Sequence, residues 1–456
     1  MPLTGTRTYV GFGFGAIQAG LLLYEAFRSP NFRRLLVAEV VPEIVADLRR
    51  HQGRYVVNIA HPDRIEPAEV GPLEIENPAA EPDRERLIEA IAQAEELGTA
   101  VPSVKFYAAP GPGSIHRLLA EGLRRKAARS GPPCVIYAAE NHNHAAEILE
   151  EHVQAEVPAG ERDAVRARTR FLNTVIGKMS GVLSDPGEIR QLGLAPVTPG
   201  APRAFLVEAF NRILITRIRF DDTLSPPGRG SAGAPRRRGE GAATRFRRGI
   251  EVFEEKDDLL PFEEAKLHGH NATHALAAYV GAALGVPTIA ALRDVRGVLP
   301  FLRAAFLDES GAALIRKYSG LDPLFTPQGY AAYADDLLRR MTNPFLRDTV
   351  ERVGRDPQRK LGWDDRLIGT MRLALSQGLA PRRYAFGAVA ALSLLAPANL
   401  APNAPPASAL FEPLWQGAKT DAGEREKVLA LIGEARERLR AWRAAGCPAL
   451  DSFFAP

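Results

Sequence analysis

The sequence predicts an α/β domain built on a mostly parallel sheet, followed by a mainly α-helical domain. Three observations carry this reading. Apolar runs of strand length alternate with segments of helical spacing through roughly the first 200 residues. From residue 262 onward nearly every segment has helical spacing. The first strand also ends in a glycine-rich turn that opens a helix, "YVGFGFGAIQAG" at 9–20. A chain of 456 residues is too long for one small core, so two domains are expected, 1–200 and 201–456.

In chain order, "TYVGFG" is a short apolar strand. "GAIQAGLLLYEAFRS" is a helix with Ile17, Leu21, Leu22 and Ala26 on one side. "RRLLVAEV" reads as a second buried strand, and "PEIVADLRRHQ" as a helix started by Pro42. Further β-like runs stand at 55–60, 96–101 and 134–140, with helical segments at 84–94 and 113–130. Such alternation implies a sheet covered on both faces. "AFLVEAF" and "ILITRIRF" beyond residue 200 look like strands. Helical spacing then runs over 262–284, 296–317, 328–341, 344–353, 363–378, 383–396 and 421–445, with the change of character falling near 200–260 and no internal repeat.

Hydrophobic content of 46% and charged content of 25% are those of a soluble globular protein. The longest apolar candidate for a membrane span, 386–402, is short and broken by Pro397, so no membrane partner is expected. The N-terminus has no charged segment followed by an apolar one, which argues against a signal peptide and for a cytoplasmic location. Cys134 and Cys447 are the only cysteines, too few for a disulfide framework or a cysteine-rich metal site. The net charge of +4 arises from one stretch, 225–249, whose seven arginines and one glutamate contribute +6 and leave about −2 for the rest. An Arg/Gly-rich insert at about 222–249 is expected to be a disordered, solvated loop. Loose binding of nucleic acid or another polyanion is the competing reading, and with it a function of a different class. Nucleic acid is not the partner the remaining chain suggests, and monomer and homodimer both stay open.

Gly11-x-Gly13-x-x-Ala16 follows a strand and opens a helix, the pattern of a Rossmann-type dinucleotide site. Gly11 allows the tight turn, Gly13 lets the backbone approach a pyrophosphate, and Ala16 lets helix and strand pack closely, with the helix N-terminus facing the negative charge. The candidate cofactor loop is Gly11, Phe12, Gly13, Phe14, Gly15, Ala16 and Ile17. Glu39 ends the second strand, where an acid accepts hydrogen bonds from ribose hydroxyls and repels a 2′-phosphate, which favours NAD over NADP. Arg33 and Arg34 precede that strand and pull the other way. Two further strand ends border the cofactor: Thr99, Ala100 and Val101, and Glu140 and Asn141, with His142 and His144 just beyond.

"KLHGHNATHA" at 266–275 admits two chemistries. His268, His270 and His274 could hold zinc, His270 and His274 being spaced i, i+4. No cysteine and no H-E-x-x-H accompany them. The same stretch holds Lys266-x4-Asn271-x2-His274, in which lysine is a candidate proton acceptor.

Several pieces in order carry a resemblance: "GFGFGAIQAG" with "LLVAEVVPEIVADL", "YAAENHNHAAEILEEHV", "FLNTVIGKM", "KLHGHNATHALAAYVG" and "NPFLRDTVERVGRDPQRKLGWDDRLIG". Together they span about 10–370, and the chain resembles the long-chain mannitol (polyol) dehydrogenase family, most of all its phosphate-using branch. The resemblance implies a Rossmann domain joined to a helical domain with the active site between them. It also implies metal-free, NAD-linked interconversion of a polyol and a ketose, which in the phosphate branch are mannitol 1-phosphate and fructose 6-phosphate. Free mannitol, arabinitol or a hexuronate is the alternative substrate. The family's K-x4-N-x2-H motif falls on Lys266, Asn271 and His274, and a further asparagine on Asn173. Where the family has "NTVVDRI" this chain has "NTVIGKM", so Gly177 and Lys178 replace an acid and an arginine; "NTGHA" is "NATHA" here.

The chemistry of these side chains suits that reading. A lysine desolvated in a closed cleft has a lowered pKa and acts as general base, so Lys266 takes that role. Asn173 and Asn271 aim amide N–H groups at a developing alkoxide. His274 orients the substrate. Arg352, Arg355, Arg359, Lys360 and Arg366 are candidate phosphate ligands, although the interleaved Glu351, Asp356, Asp364 and Asp365 also fit a structural ion-pair network.

Overall fold

The computed structural model describes residues 3–220, 246–401 and 403–455. The part of the expected disordered insert at 222–245 lies outside the described residues. The chain divides into two units, Met1–Leu259 and Leu260–Pro456.

The first unit contains β1 (Arg7–Phe12), β2 (Phe32–Ala38), β3 (Tyr55–Ala60), β4 (Ile65–Val70), β5 (Glu74–Glu76), β6 (Glu96–Thr99), β7 (Cys134–Ala138), β8 (Thr169–Val175), β9 (Ser180–Leu183), β10 (Ala204–Glu208), β11 (Ile213–Thr216) and β12 (Phe253–Lys256). The larger sheet runs β12-β11-β8-β7-β6-β1-β2-β5. From β5 to β8 every neighbouring pair is parallel, which is the 3-2-1-4-5-6 order of a Rossmann sheet, with its switch point between β1 and β6. Gly11 of β1 pairs with Val37 on one side and Gly98 on the other, so the glycine loop leaves the sheet at that switch point.

The period-two alternation of the strands fills both faces. Tyr9, Leu35, Val37, Val135 and Tyr137 enter one core cluster. Their neighbours Val10, Phe12, Leu36, Leu97 and Ile136 enter the other. Helices Glu81–Gln93, Ile115–Ala128 and Ala145–Glu156 supply Leu87, Ile91, Leu119, Leu123, Leu149 and Val153 to the second cluster. The first cluster is closed by the helical segment Gln18–Arg28, by helix Pro42–Arg50 and by a second sheet of order β4-β3-β10-β9. "YVVNIA" therefore belongs to this covering sheet and not to the parallel one.

The expected boundary at residue 200 moves to 259/260. β10 pairs with β3 (Leu206 with Asn58), β11 with β8 (Leu214 with Val175), and β12 with β11, so residues 204–256 complete the first unit. The last residues of the expected insert are also structural. The Gly249 and Ile250 amides donate to the buried Glu96 carboxylate, which Tyr137 and Arg7 also contact.

The second unit is helical. Its first helix has three parts, an α-turn at Leu260–Glu264, a π-helical stretch at Ala265–Asn271 and an α-helix at Ala272–Ala283. Val298–Lys317 repeats the pattern, with π geometry at Ala305–Gly311. The two π stretches approach through glycine: a Cβ on Gly269 would stand 2.9 Å from Tyr330 Oη and 3.2 Å from Phe306, and one on Gly311 2.6 Å from Tyr330. Val298–Ala304, Val350–Gly354 and Arg382–Leu395 pack against the buried helix Ala272–Ala283. Leu276 packs where Gly387 has no side chain, and the Thr273 and Tyr384 hydroxyls share a 2.8 Å hydrogen bond. Among the described residues no helix is long and apolar enough to cross a membrane.

Candidate active site

The nucleotide loop has the geometry its glycines require. Gly13 adopts φ +83°, and a Cβ there would stand 2.9 Å from the Ala100 carbonyl, so only glycine fits. A Cβ on Gly11 would strike the Gln18 amide, whose Nε2 donates to Tyr9 Oη at 2.9 Å. Among the described residues no atom stands within 4 Å of such a position on Gly15, so the turn is open beside the helix start. Phe12, Phe14 and Ala16 are buried, and Ile17 is half-buried. These features fit a dinucleotide.

Glu39 is buried at the end of β2, and its two oxygens accept the Phe14 and Val41 amides, each at 2.9 Å. It therefore braces the loop, at the strand end expected to meet ribose hydroxyls. Arg34 forms a two-pronged pair with Glu74, both contacts 2.7 Å, while Arg33 is exposed. Glu140 ties the next strand ends together: its carboxylate accepts Val101 N at 2.9 Å and Thr99 Oγ1 at 2.8 Å, and also Tyr107 Oη. Burial raises its pKa above the usual carboxylate range, with these hydrogen bonds opposing. Tyr107 is the member of this cluster that sequence reasoning missed, since nothing local marks it. Asn141, His142 and His144 are exposed, and His144 N donates to His142 Nδ1 at 3.1 Å.

Asn173 lies on β8 in the first unit, where its Oδ1 accepts Ala146 N at 2.9 Å and its Nδ2 donates to Glu147 at 2.8 Å. Lys178 is buried, and its ammonium donates to the carbonyls of Glu208 at 2.5 Å and Phe210 at 2.8 Å. It pins this loop to β10. A Cβ on Gly177 would meet only Phe210, at 3.8 Å, so the loop has room there.

Lys266, Asn271 and His274 are in the second unit, and the π stretch is what relates them. In an unbroken α-helix Lys266 and Asn271 would be about 140° apart around the axis. The i→i+5 turn lowers the rotation per residue and brings Lys266 round toward the face of Asn271 and His274. Arg366 influences both ends of the set. Burial pushes Lys266 down to about 8, and the Arg366 charge adds to that fall. His274 is pushed to about 3 by burial together with Arg352, Lys360 and Arg366, so its imidazole is neutral at any working pH. Asp348 faces it, with a carboxylate oxygen 3.7 Å from Nε2. Sequence reasoning missed Asp348, although an acid inside "NPFLRDTV" was visible.

The other histidines turn elsewhere. His268 Nδ1 meets Thr370 Oγ1 at 3.1 Å and burial lowers its pKa to about 4, while His270 is buried with its ring 6.3 Å from that of His274. Among the described residues no group of three or more His, Cys, Asp or Glu side chains is placed to hold a metal ion.

The five candidate phosphate cations separate. Lys360 is buried and donates to the Val353 carbonyl at 2.6 Å and the Arg355 carbonyl at 2.5 Å. Arg359 is exposed and pairs with Asp356 at 2.7 Å and Asp365 at 3.4 Å. Arg352 pairs with Asp348, and Arg355 is exposed. Arg366 is half-buried, its Nε 3.2 Å from Asp365, with a pKa lowered by burial.

Comparison with known proteins agrees with this layout. The chain matches the mannitol dehydrogenase Rossmann domain over residues 7–220 and the mannitol dehydrogenase C-terminal domain over residues 258–430. Mannitol-1-phosphate 5-dehydrogenase of Bacillus licheniformis is 29% identical over 388 residues, 84% of this chain and 87% of that protein. Mannitol 2-dehydrogenase of Pseudomonas fluorescens, solved in ternary complex with NAD and D-mannitol, has the same fold, with a TM-score of 0.67 at 14% identity over 98% of this chain and 94% of that one. A D-sorbitol dehydrogenase in substrate-free form gives a TM-score of 0.69 at 15% identity over 96% and 95%. Each unit thus carries its own family match, and the chain belongs to the mannitol dehydrogenase family of NAD-dependent oxidoreductases.

Proposed function

We propose that the protein interconverts a polyol phosphate and a ketose phosphate, mannitol 1-phosphate and fructose 6-phosphate, with NAD and without a metal. The observation that carries this reading is the Lys266-Asn271-His274 set on a π-bulged helix, with the lysine pushed down to about 8. NAD, when bound, accepts or returns the hydride at its nicotinamide. Lys266 takes the hydroxyl proton from the carbinol, a transfer worth roughly 10²–10⁴-fold in rate. Asn271 and Asn173 offer amide N–H groups to the oxygen as it becomes negative, each worth about 3 kcal/mol if preorganised. Asn173 must then exchange its bond to Glu147 for one to the substrate. His274, neutral, orients the substrate by hydrogen bonding.

The 29% relative and the Arg-dense segment 352–366 support a phosphorylated substrate. Arg366 is the cation best suited to it, because a guanidinium fork matches phosphate and its charge already acts on Lys266 and His274. A second reading, a free polyol such as mannitol or arabinitol or a hexuronate, is favoured by one observation: Lys178 and Lys360 are committed to backbone carbonyls. We place the enzyme in the cytoplasm, as a monomer or homodimer. The test is loss of NADH absorbance with fructose 6-phosphate, run beside fructose and a panel of other ketoses. No oxidation with fructose 6-phosphate across a broad pH range overturns the first reading, and turnover of an unphosphorylated ketose alone selects the second.

A further inference from the structure

Asp348 is held in place from three directions. It follows Arg347, a non-glycine residue at φ +56°. Its own carbonyl accepts Ile289 N at 2.9 Å, and the next residue, Thr349, bridges Thr288 in antiparallel fashion. The carboxylate this backbone presents is 4% exposed. One oxygen meets the Arg352 guanidinium, and the other faces His274 Nε2 at 3.7 Å, a few tenths of an ångström beyond hydrogen-bond reach. Among the described residues the buried His274 Nε2 has no hydrogen-bond partner. A buried imidazole nitrogen directed at a buried carboxylate is an arrangement that ordinary packing does not require.

Three cations, Arg352, Lys360 and Arg366, act on His274, and the His270 ring lies beside it. A neutral imidazole carries one N–H, and the group on one nitrogen decides which atom bears it. A carboxylate only accepts, so it selects the tautomer protonated at the nitrogen it faces.

We propose that Asp348 is a positioning residue of the active site: anchored by Arg352, it takes the Nε2–H of a neutral His274 and leaves Nδ1 bare as an acceptor for a substrate hydroxyl. This rests on His274 being the substrate-orienting residue. The hydrogen bond shortens when the substrate seats the ring, since catalytic hydrogen bonds are commonly long before that point.

The tautomer is directly measurable in the full-length protein labelled with ¹⁵N-histidine. The His274 signals are those that vanish in His274→Gln. In the unmodified protein they report Nε2–H with Nδ1 unprotonated, and an Nδ1–H signal overturns the proposal. In Asp348→Asn, whose amide both donates and accepts, the tautomers mix. Turnover then falls by about tenfold or more, as second-layer partners of catalytic groups commonly cost, while NADH affinity holds within about twofold. A folded Asp348→Asn protein with an unchanged tautomer and unchanged turnover also overturns it. The tautomer measurement needs no substrate and no altered Asp348. Failure of every polyol and ketose as substrate therefore sinks the proposed function, and leaves the Asp348–His274 pairing to be decided on its own spectrum.

Discussion

The Glu39 carboxylate accepts the Phe14 amide at 2.9 Å, so the acid that ends β2 also holds the glycine loop in shape. Removing it strands a buried N–H, which costs about 1–3 kcal/mol. Glu39→Ala is expected to lower both Tm and NADH affinity. Glu39→Gln keeps an acceptor for the loop but loses the charge that repels a 2′-phosphate, so its ratio of NADPH to NADH affinity rises while its Tm stays nearer the unmodified value. Fluorescence titration of both cofactors checks this. An unchanged ratio in Glu39→Gln removes Glu39 from cofactor discrimination.

As the proposed base, Lys266 acts only when neutral. With its pKa pushed to about 8, polyol oxidation rises with pH and levels off above about 8, whereas ketose reduction needs the protonated lysine and declines over the same range. Lys266→Ala is expected to lose roughly 10²–10⁴-fold in turnover and to keep its NADH affinity. Steady-state rates in both directions across pH, with NADH binding measured separately, decide it. A Lys266→Ala protein with surviving turnover shows the base to be another group.

After burial, the Arg366 charge is the strongest influence lowering the Lys266 pKa. Taking a positive charge away favours the protonated lysine, so Arg366→Gln moves the alkaline limb of the oxidation profile to higher pH. If Arg366 also binds phosphate, the same change raises KM for fructose 6-phosphate more than for fructose. The two effects separate cleanly. A shifted limb with an unaltered KM ratio assigns Arg366 to the base alone, and an unshifted limb contradicts the electrostatic coupling.

The glycine loop and the helical second unit were legible because their signals are local. Gly11, Gly13 and Ala16 sit at fixed offsets, and the helices repeat an apolar face. The boundary at 259/260 was not legible, because β10 and β11 look like loose strands until their partners β3 and β8, far away in sequence, are known, and β12, among the described residues, pairs only with β11. The resemblance to the family motif pointed to Lys266, Asn271 and His274 but not to the π stretch that relates them, which changes the helical period without changing the sequence pattern. Lys360 reads as a phosphate ligand for a related reason: only the fold shows the backbone carbonyls that hold it. Asp348 is separated from His274 by more than seventy residues, a distance no periodicity spans.

The basic stretch gives a sharper deletion than composition suggested. Removing 225–245, which its composition marks as a solvated insert, is expected to leave turnover within about twofold. Extending the cut to 249 removes the Gly249 amide from Glu96, a fully buried carboxylate, at a cost of about 1–3 kcal/mol. The Tm of the two deletions should therefore differ, with the longer one lower. Loss of turnover in the shorter deletion would instead restore the view that the arginines carry the function.

Glu309 supplies a pH dependence of stability separate from catalysis. It is buried in the π stretch Ala305–Gly311, and its carboxylate accepts the Arg383 and Tyr384 amides at 2.8 and 3.1 Å, capping helix Arg382–Leu395. Burial raises its pKa from 4.5 to about 7, with those hydrogen bonds and the Arg383 charge only partly opposing. Between these values the folded protein keeps a proton that the unfolded chain has lost. Stability from this group therefore falls as pH rises from about 4.5 to about 7, by about 3 kcal/mol in all, and stays level above. In Glu309→Gln nothing titrates, so that share of the slope disappears, although the weaker acceptor lowers Tm somewhat at the acid end. Thermal unfolding across this pH range for both proteins tests it. Parallel Tm profiles would mean that Glu309 is ionised in the folded protein throughout, held by Arg383 and the helix start more strongly than burial opposes.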